Sequence, residues 1–113
     1  MAFSAELKMT PAGVAIITLV GELDASVADQ FRSEIQKAAD QDAKRLVLML
    51  KKLEYMASAG LRVLIFAKQK MGSKVDLYVV EPTEAIRETI TMTGFAQSVI
   101  MMDEYIPTEI ETI

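Results

Sequence analysis

Short apolar runs alternate with segments in which apolar residues recur every three to four positions. Four short runs predict strands at residues 5–9, 14–20, 45–50 and 75–80. The segment Thr10-Pro11-Ala12-Gly13 separates the first two runs, and its Pro and Gly favour a tight turn, so an opening hairpin is expected. Residues 51–56 are interpreted as a loop, and residues 95–102 as a last edge strand.

Helical spacing of apolar residues predicts three helices. The first follows the segment 21–24, which is expected to break the second strand, and either Asp24 or Ser26 can cap it. The second covers residues 58–71, with Ser58 as its cap and Gly72 just beyond its end. The third begins near Pro82 and stops before Gly94, and the tail after Pro107 is expected to form a short helix or to fray.

This order of elements, β-β-α-β-α-β-α-β with an optional last helix, predicts an α/β fold. Since strands that alternate with helices pair in parallel through crossovers, we expect a mixed, mostly parallel sheet of four to five strands. The helices should cover mainly one face. With 113 residues and no linker-like segment, one domain spanning residues 1–113 is expected.

Composition narrows the function. The chain has no cysteine and no histidine, which removes thiol chemistry, the usual general base and the commonest transition-metal ligand. The net charge is −4 without a dense basic cluster, so nucleic-acid binding is disfavoured. No apolar stretch approaches the ~20 residues of a membrane span, and no secretion signal is recognisable, so a cytoplasmic protein without cofactors is expected.

The predicted start of the second helix is suited to an anion, because free backbone N–H groups and the positive end of the helix dipole meet there. A phosphate on Ser58 would therefore be tolerated, although serine is also an ordinary helix cap. The same helix carries apolar residues on two sides, which favours either a helix flanked by two others or an exposed strip that docks a partner. Met56 is read as a flexible apolar side chain of an adaptable binding loop.

Four segments resemble the STAS domain, specifically the anti-sigma factor antagonist family. They are GELD at 21–24, LEYMASAGL at 53–61, VVEP at 79–82 and MTGF at 92–95. The second resembles the family's L-x-[FY]-[MI]-D-S-[ST]-G-L motif, and the spacing of all four agrees from one end of the chain to the other.

This resemblance implies partner switching. The unphosphorylated protein would bind a GHKL-type serine kinase that is also the anti-sigma factor, phosphorylation of Ser58 would break the complex, and a metal-dependent serine phosphatase would restore it. Asp24 would lie beside Ser58 and support kinase engagement. The expected partner-binding residues are Glu22, Asp24, Met56, Ala57, Ser58, Ala59, Gly60, Leu61 and Arg62.

Two alanines depart from the family's pattern. Ala57 stands where members carry aspartate, and Ala59 stands at the second hydroxyl position. Ser58 is therefore the only hydroxyl acceptor in the motif, and a divergent kinase is expected. The alternative is a STAS module that is never phosphorylated and serves as a scaffold or as an accessory subunit of a signalling or lipid-transport assembly.

An enzyme is not expected. Residues 56–60 resemble half of a serine nucleophile elbow, but that motif needs a histidine base, which the chain lacks. Glu22 and Asp24 could share a face and hold a cation loosely, but solvated turn charges explain them as well.

Overall fold

Five strands and four α-helices make up the fold in the computed structural model, which describes residues 2–72 and 74–112. The strands are β1 (Ser4–Met9), β2 (Val14–Leu23), β3 (Arg45–Met56), β4 (Asp76–Val80) and β5 (Ile100–Met102). The helices are α1 (Ala28–Asp40), α2 (Ser58–Met71), α3 (Glu84–Met92) and α4 (Pro107–Ile110), with a 3₁₀ turn at Phe95–Ser98. None of the helices in the described ranges is long and apolar enough to cross a membrane.

The strands form one mixed sheet in chain order, β1-β2-β3-β4-β5. β1 is antiparallel to β2, and the remaining neighbours are parallel. At the β1–β2 turn, the Thr10 N–H donates to the Val14 carbonyl at 2.9 Å, and Gly13 adopts a φ of +89° that favours glycine. The predicted fold class and element order are confirmed.

β2 and β3 are longer than the sequence predicted. Residues 21–23 continue β2 and the expected loop 51–56 continues β3. The pairing explains the error: between Thr18 and Glu22, β3 uses two more residues than β2, which shifts the register twice. Buried Leu50 and Leu53 consequently lie three positions apart rather than two, with exposed charged side chains between them. The two-residue alternation that is typical of a strand is therefore absent from the sequence here.

The main core lies between the sheet and helices α1, α2 and α3. Its largest fully buried side chains come from both layers: Phe31, Ile35, Leu64, Ile86 and Ile90 from the helices, and Ile17, Leu19, Leu23, Leu46, Leu48, Leu50 and Leu53 from the strands. This face of the sheet is apolar on β2, β3 and β4, as helix-covered parallel strands require.

The C-terminal segment covers part of the opposite face. Ile110 of α4 is fully buried in a second, smaller cluster with Val14, Val47, Tyr78 and Val80. The Arg45 guanidinium donates to the carbonyls of Glu109 and Ile110 at 2.7 and 2.8 Å. The helices therefore lie mainly on one face, as predicted, with α4 as the exception.

Candidate functional site

Ser58 is the first residue of α2, directly after β3. Ala57, whose backbone is extended with ψ at 169°, holds the cap position, and no side chain caps this helix. The Ala57 N–H donates to the Leu23 carbonyl at 2.8 Å, so the turn is fastened to the end of β2. The prediction that Ser58 itself caps the helix is wrong by one residue.

The start of α2 presents free donors. The N–H groups of Gly60 and Leu61 both donate to the Ala57 carbonyl, at 3.0 and 3.1 Å. Within residues 2–72 and 74–112, the N–H groups of Ser58 and Ala59 and the exposed Ser58 hydroxyl form no hydrogen bond. No acidic residue lies in the first turn. This arrangement favours an added anion, because two donors and the positive end of the helix dipole point the same way.

Gly60 brings the helix into direct contact with the strand ends. A Cβ atom at this position would lie 2.7 Å from Cδ2 and Cγ of Leu23 and 3.1 Å from Cγ of Met56. The 2.7 Å distances are too short for carbon atoms and the 3.1 Å distance is tight, so only glycine fits without displacement of its neighbours. Gly60 thus fixes how closely the Ser58 end of α2 approaches β2 and β3.

Asp24 lies at the same end of the sheet as Ser58. It directly follows Leu23, which pairs with Met56 across the β2–β3 ladder. The Asp24 carboxylate accepts from the Ser26 hydroxyl at 2.6 Å and from the Ser26 N–H at 2.9 Å. The hydrogen bond from the Ser26 hydroxyl is the largest influence that lowers the pKa of Asp24 below its ordinary value. Asp24 is thus a fixed, exposed negative charge near Ser58.

Neither Asp24 nor Ser26 caps α1, which was the predicted role. The cap position of α1 is Val27, without a side-chain hydrogen bond, because the Asp24 carboxylate closes its own turn instead.

Glu22 belongs to a different surface. It pairs with Tyr55 and alternates with Leu23, so its side chain lies on the sheet face opposite the three large helices. In the described part of the chain, no cluster of three or more acidic, histidine or cysteine side chains could hold a metal.

Tyr55, which pairs with Glu22, is 50% exposed. The loop that the sequence predicts at residues 51–56 gives no reason to place this side chain on a face of the sheet.

Three of the predicted partner-binding residues are buried. Met56 is 5% exposed and packs beneath the start of α2, so the expectation of a flexible, adaptable Met56 surface is wrong. Gly60 and Leu61 are buried as well. Ala57 and Ala59 are half-buried, whereas Ser58 and Arg62, one helical turn further, are exposed. The accessible part of the site is therefore Asp24, Ser58 and Arg62.

The two apolar sides of α2 are mostly used inside the molecule. Val63, Leu64 and Ala67 are buried in the main core. Phe66 is half-buried beneath the Arg32 guanidinium of α1, whose carbon lies 4.5 Å from the ring centroid. Ile65 is the large apolar side chain of α2 that stays exposed, at 39%. The exposed-strip interpretation is thereby reduced to Ile65, on the same helix as Ser58 and Arg62.

Comparisons with known proteins identify the family. A family model described as the STAS domain matches residues 7–109. BtrV of Bordetella bronchiseptica, a proposed anti-sigma factor antagonist, is 36% identical over 84 residues, which are 74% of this chain and 72% of BtrV.

Solved structures share the fold. An anti-sigma factor antagonist from Mycobacterium paratuberculosis superposes with a TM-score of 0.82 at 24% identity, covering 90% of this chain and 86% of that one. The Bacillus cell-fate determinant SpoIIAA in its phosphorylated form gives a TM-score of 0.71 at 21% identity, covering 94% and 95%.

Proposed function

The chain belongs to the STAS domain family, and from that premise we propose that it is an anti-sigma factor antagonist controlled by phosphorylation of Ser58. In its unphosphorylated form it binds a GHKL-type serine kinase that doubles as the anti-sigma factor. Phosphorylation dissociates this complex, and a metal-dependent serine phosphatase reverses the modification. The protein itself is a regulatory subunit and supplies no catalytic group to either reaction.

The observation that carries the proposal is the state of Ser58. Its hydroxyl is exposed, and within residues 2–72 and 74–112 it has no hydrogen-bond partner, so a kinase can reach it without breaking an internal bond. It lies in the segment that resembles the family's phosphoacceptor motif, in a chain similar to a proposed antagonist.

The surroundings of Ser58 stabilise a phosphate within the chain, and that phosphate opposes binding of a partner. The free N–H groups of Ser58 and Ala59 and the helix dipole stabilise it locally, and Arg62 lies one turn away on the same helix. The phosphate adds about −1.5 to −2 charges to a surface that already carries Asp24. The fold is thus preserved, while a partner surface that is acidic or apolar at this point is repelled.

Phosphorylation is tested with each GHKL-type serine kinase encoded in the same genome. Wild type, Ser58→Ala and Ser33→Ala are incubated with kinase and ATP, and the products are read by mass spectrometry. Wild type and Ser33→Ala, which alters an exposed serine of α1, should gain one phosphate, and Ser58→Ala should gain none. Modification of Ser58→Ala, or no modification of wild type, contradicts the proposal.

The effect of charge is tested separately by binding. Ser58→Glu should weaken kinase binding by about tenfold or more, because the new carboxylate would meet a kinase surface that is itself acidic or apolar. Ser33→Glu adds the same charge at an exposed position of α1, outside the Ser58 motif, and should bind as wild type does. Equal affinities of Ser58→Glu and Ser33→Glu would show that charge at Ser58 is not the switch.

The two alanines of the motif support a second candidate. Because Ala57 leaves α2 without a side-chain cap and Ala59 removes the second hydroxyl, the loop lacks groups that a typical kinase of the family reads. A constitutive scaffold or accessory subunit of a signalling or lipid-transport assembly would keep the fold without modification. It predicts that wild type stays unphosphorylated and that Ser58→Ala and Ser58→Glu assemble with the partner equally well.

A further inference from the structure

β1 forms an open edge of the sheet. Among the described strands it pairs only with β2, through a register in which Leu7 opposes Ile17. The same register, continued by one residue, places Thr10 opposite Val14, and the Thr10 N–H donates to the Val14 carbonyl. Because inward and outward backbone groups alternate along an antiparallel strand, Ser4, Glu6 and Lys8 bond inward to β2. The N–H and C=O groups of Ala5, Leu7 and Met9 therefore point outward from the edge.

The side chains of β1 are also sorted by face. Ala5, Leu7 and Met9 are half-buried and pack against the main core beneath the helices. Glu6 and Lys8 are exposed and lie on the opposite face. A strand added to this edge would thus meet apolar side chains on one face and two opposite charges on the other.

The charges of Glu6 and Lys8 favour one register for pairing β1 with β1 of a second copy. In an antiparallel pair centred on Leu7, Leu7 faces its own copy, Ala5 faces Met9, and the outward backbone groups bond to each other. In the same pair each Glu6 faces Lys8 of the other copy, which gives two favourable cross-strand pairs. A shift of two residues in the pairing would instead place Glu6 opposite Glu6, or Lys8 opposite Lys8.

We propose that this protein forms a two-fold homodimer in which the β1 edges pair antiparallel about Leu7, giving a continuous ten-stranded sheet. The occupant of the edge is a second copy because the sequence of β1 is complementary to itself in that register. The strands run in opposite directions across the interface, so the two Ser58 sites lie at opposite ends of the dimer. The interface is separate from the proposed phosphorylation switch and does not depend on it.

The first test reverses one charge of each cross-strand pair. Glu6→Lys places Lys opposite Lys in both cross-strand pairs and should raise the dimer dissociation constant about tenfold, measured by sedimentation over a wide range of protein concentration. This substitution also brings the net charge closer to zero from −4, which by itself would favour association. Weaker dimerisation therefore identifies the pairing and not the overall charge. Glu88→Lys, on the exposed side of α3, makes the same charge change and should not weaken the dimer.

Mixing the single variants completes the test. Glu6→Lys and Lys8→Glu should each dimerise poorly, whereas an equimolar mixture should form heterodimers, because Lys now faces Glu in both pairs. Glu6→Lys/Lys8→Glu in one chain should dimerise as wild type does. A monomeric wild type, or a dimer that these substitutions leave unchanged, overturns the proposal.

The register is tested by disulfide formation, for which the chain is suited because it has no cysteine. Glu6→Cys mixed with Lys8→Cys should form a mixed disulfide rapidly on oxidation, since these positions face each other. Glu6→Cys alone should form its symmetric disulfide much more slowly. Faster cross-linking of Glu6→Cys with itself would overturn the proposed register.

Discussion

Replacing Gly60 by alanine tests whether close packing at the start of α2 shapes the Ser58 site. The added methyl group would lie 2.7 Å from Cγ and Cδ2 of Leu23 and 3.1 Å from Cγ of Met56. Cγ of Leu23 is not a free end of the side chain, and both neighbours are buried, so neither can move aside without disturbing the core. We expect Gly60→Ala to fold but to lose stability.

The magnitude follows from two opposing effects. Overpacking of a well-packed core costs about 1–3 kcal/mol, and contact at a branch carbon places Gly60→Ala in the upper part of that range. Alanine in place of glycine within a helix recovers about 1 kcal/mol. The net loss in the free energy of unfolding is therefore about 1–2 kcal/mol. For a domain of this size each kcal/mol lowers Tm by roughly 4 °C.

Urea unfolding of a double-mutant cycle isolates the contact. Leu23→Ala alone should cost about 2–5 kcal/mol. Once the Leu23 side chain is gone, Gly60→Ala should be neutral or stabilise by up to about 1 kcal/mol, because only the 3.1 Å approach to Met56 then opposes the helical preference for alanine. A large coupling energy between the two positions is the expected result. If Gly60→Ala is as stable as wild type, or costs the same with and without Leu23, the close-packing explanation is wrong.

Three further predictions concern other contacts. Ser26→Ala should return the pKa of Asp24 toward its ordinary value of 3.8, measured by NMR titration of the carboxyl carbon, since it removes the hydroxyl that lowers this pKa most. Burial and the hydrogen bond to Glu111 raise the pKa of Tyr105 to about 12. The contribution of Tyr105 to stability is therefore fully present below pH 10 and is lost as the pH rises through 12. Thermal unfolding across this range should show a fall in Tm, and Tyr105→Phe should reduce that fall. Ile110→Ala should lower the free energy of unfolding by about 2–5 kcal/mol in urea, because Ile110 is fully buried under the sheet; a loss below 1 kcal/mol would show that α4 is not docked in solution.

The regular parts of the fold could be predicted from local pattern. Helix α2 and its end before Gly72 follow from the spacing of apolar residues and from the glycine just beyond the last of them, and the start of α3 near Pro82 is a local signal too. In the structure α3 is capped by Thr83, which accepts from the Ile86 N–H. These features depend on residues close together in the chain. The extensions of β2 and β3 could not be found in this way, because the bulges that create them are visible only when two distant strands are aligned.

The errors at Tyr55 and Met56 share that cause. Met56 was expected in a loop because residues 51–56 look polar, yet β3 continues to Met56 and turns its side chain into the core. The exposed strand position of Tyr55 could not be predicted for the same reason. The nearness of Asp24 and Ser58 was expected from family resemblance alone. The structure supplies the physical account, in which Leu23 and Met56 pair at the last step of the ladder and bring the two turns together.

The two alanines that depart from the family's pattern leave the position of Ser58 intact, because that position is held by backbone atoms and by core packing. The Ala57 N–H bonds to the Leu23 carbonyl, and its own carbonyl accepts from Gly60 and Leu61; none of these bonds needs a side chain at 57. The fit of Gly60 against Leu23 likewise needs no hydroxyl at position 59. Ala57 and Ala59 therefore change the chemical groups around Ser58, while the helix still presents that hydroxyl at the same end of the sheet. Under the proposed function, divergence at these two positions should alter which kinase recognises the protein rather than whether the protein folds.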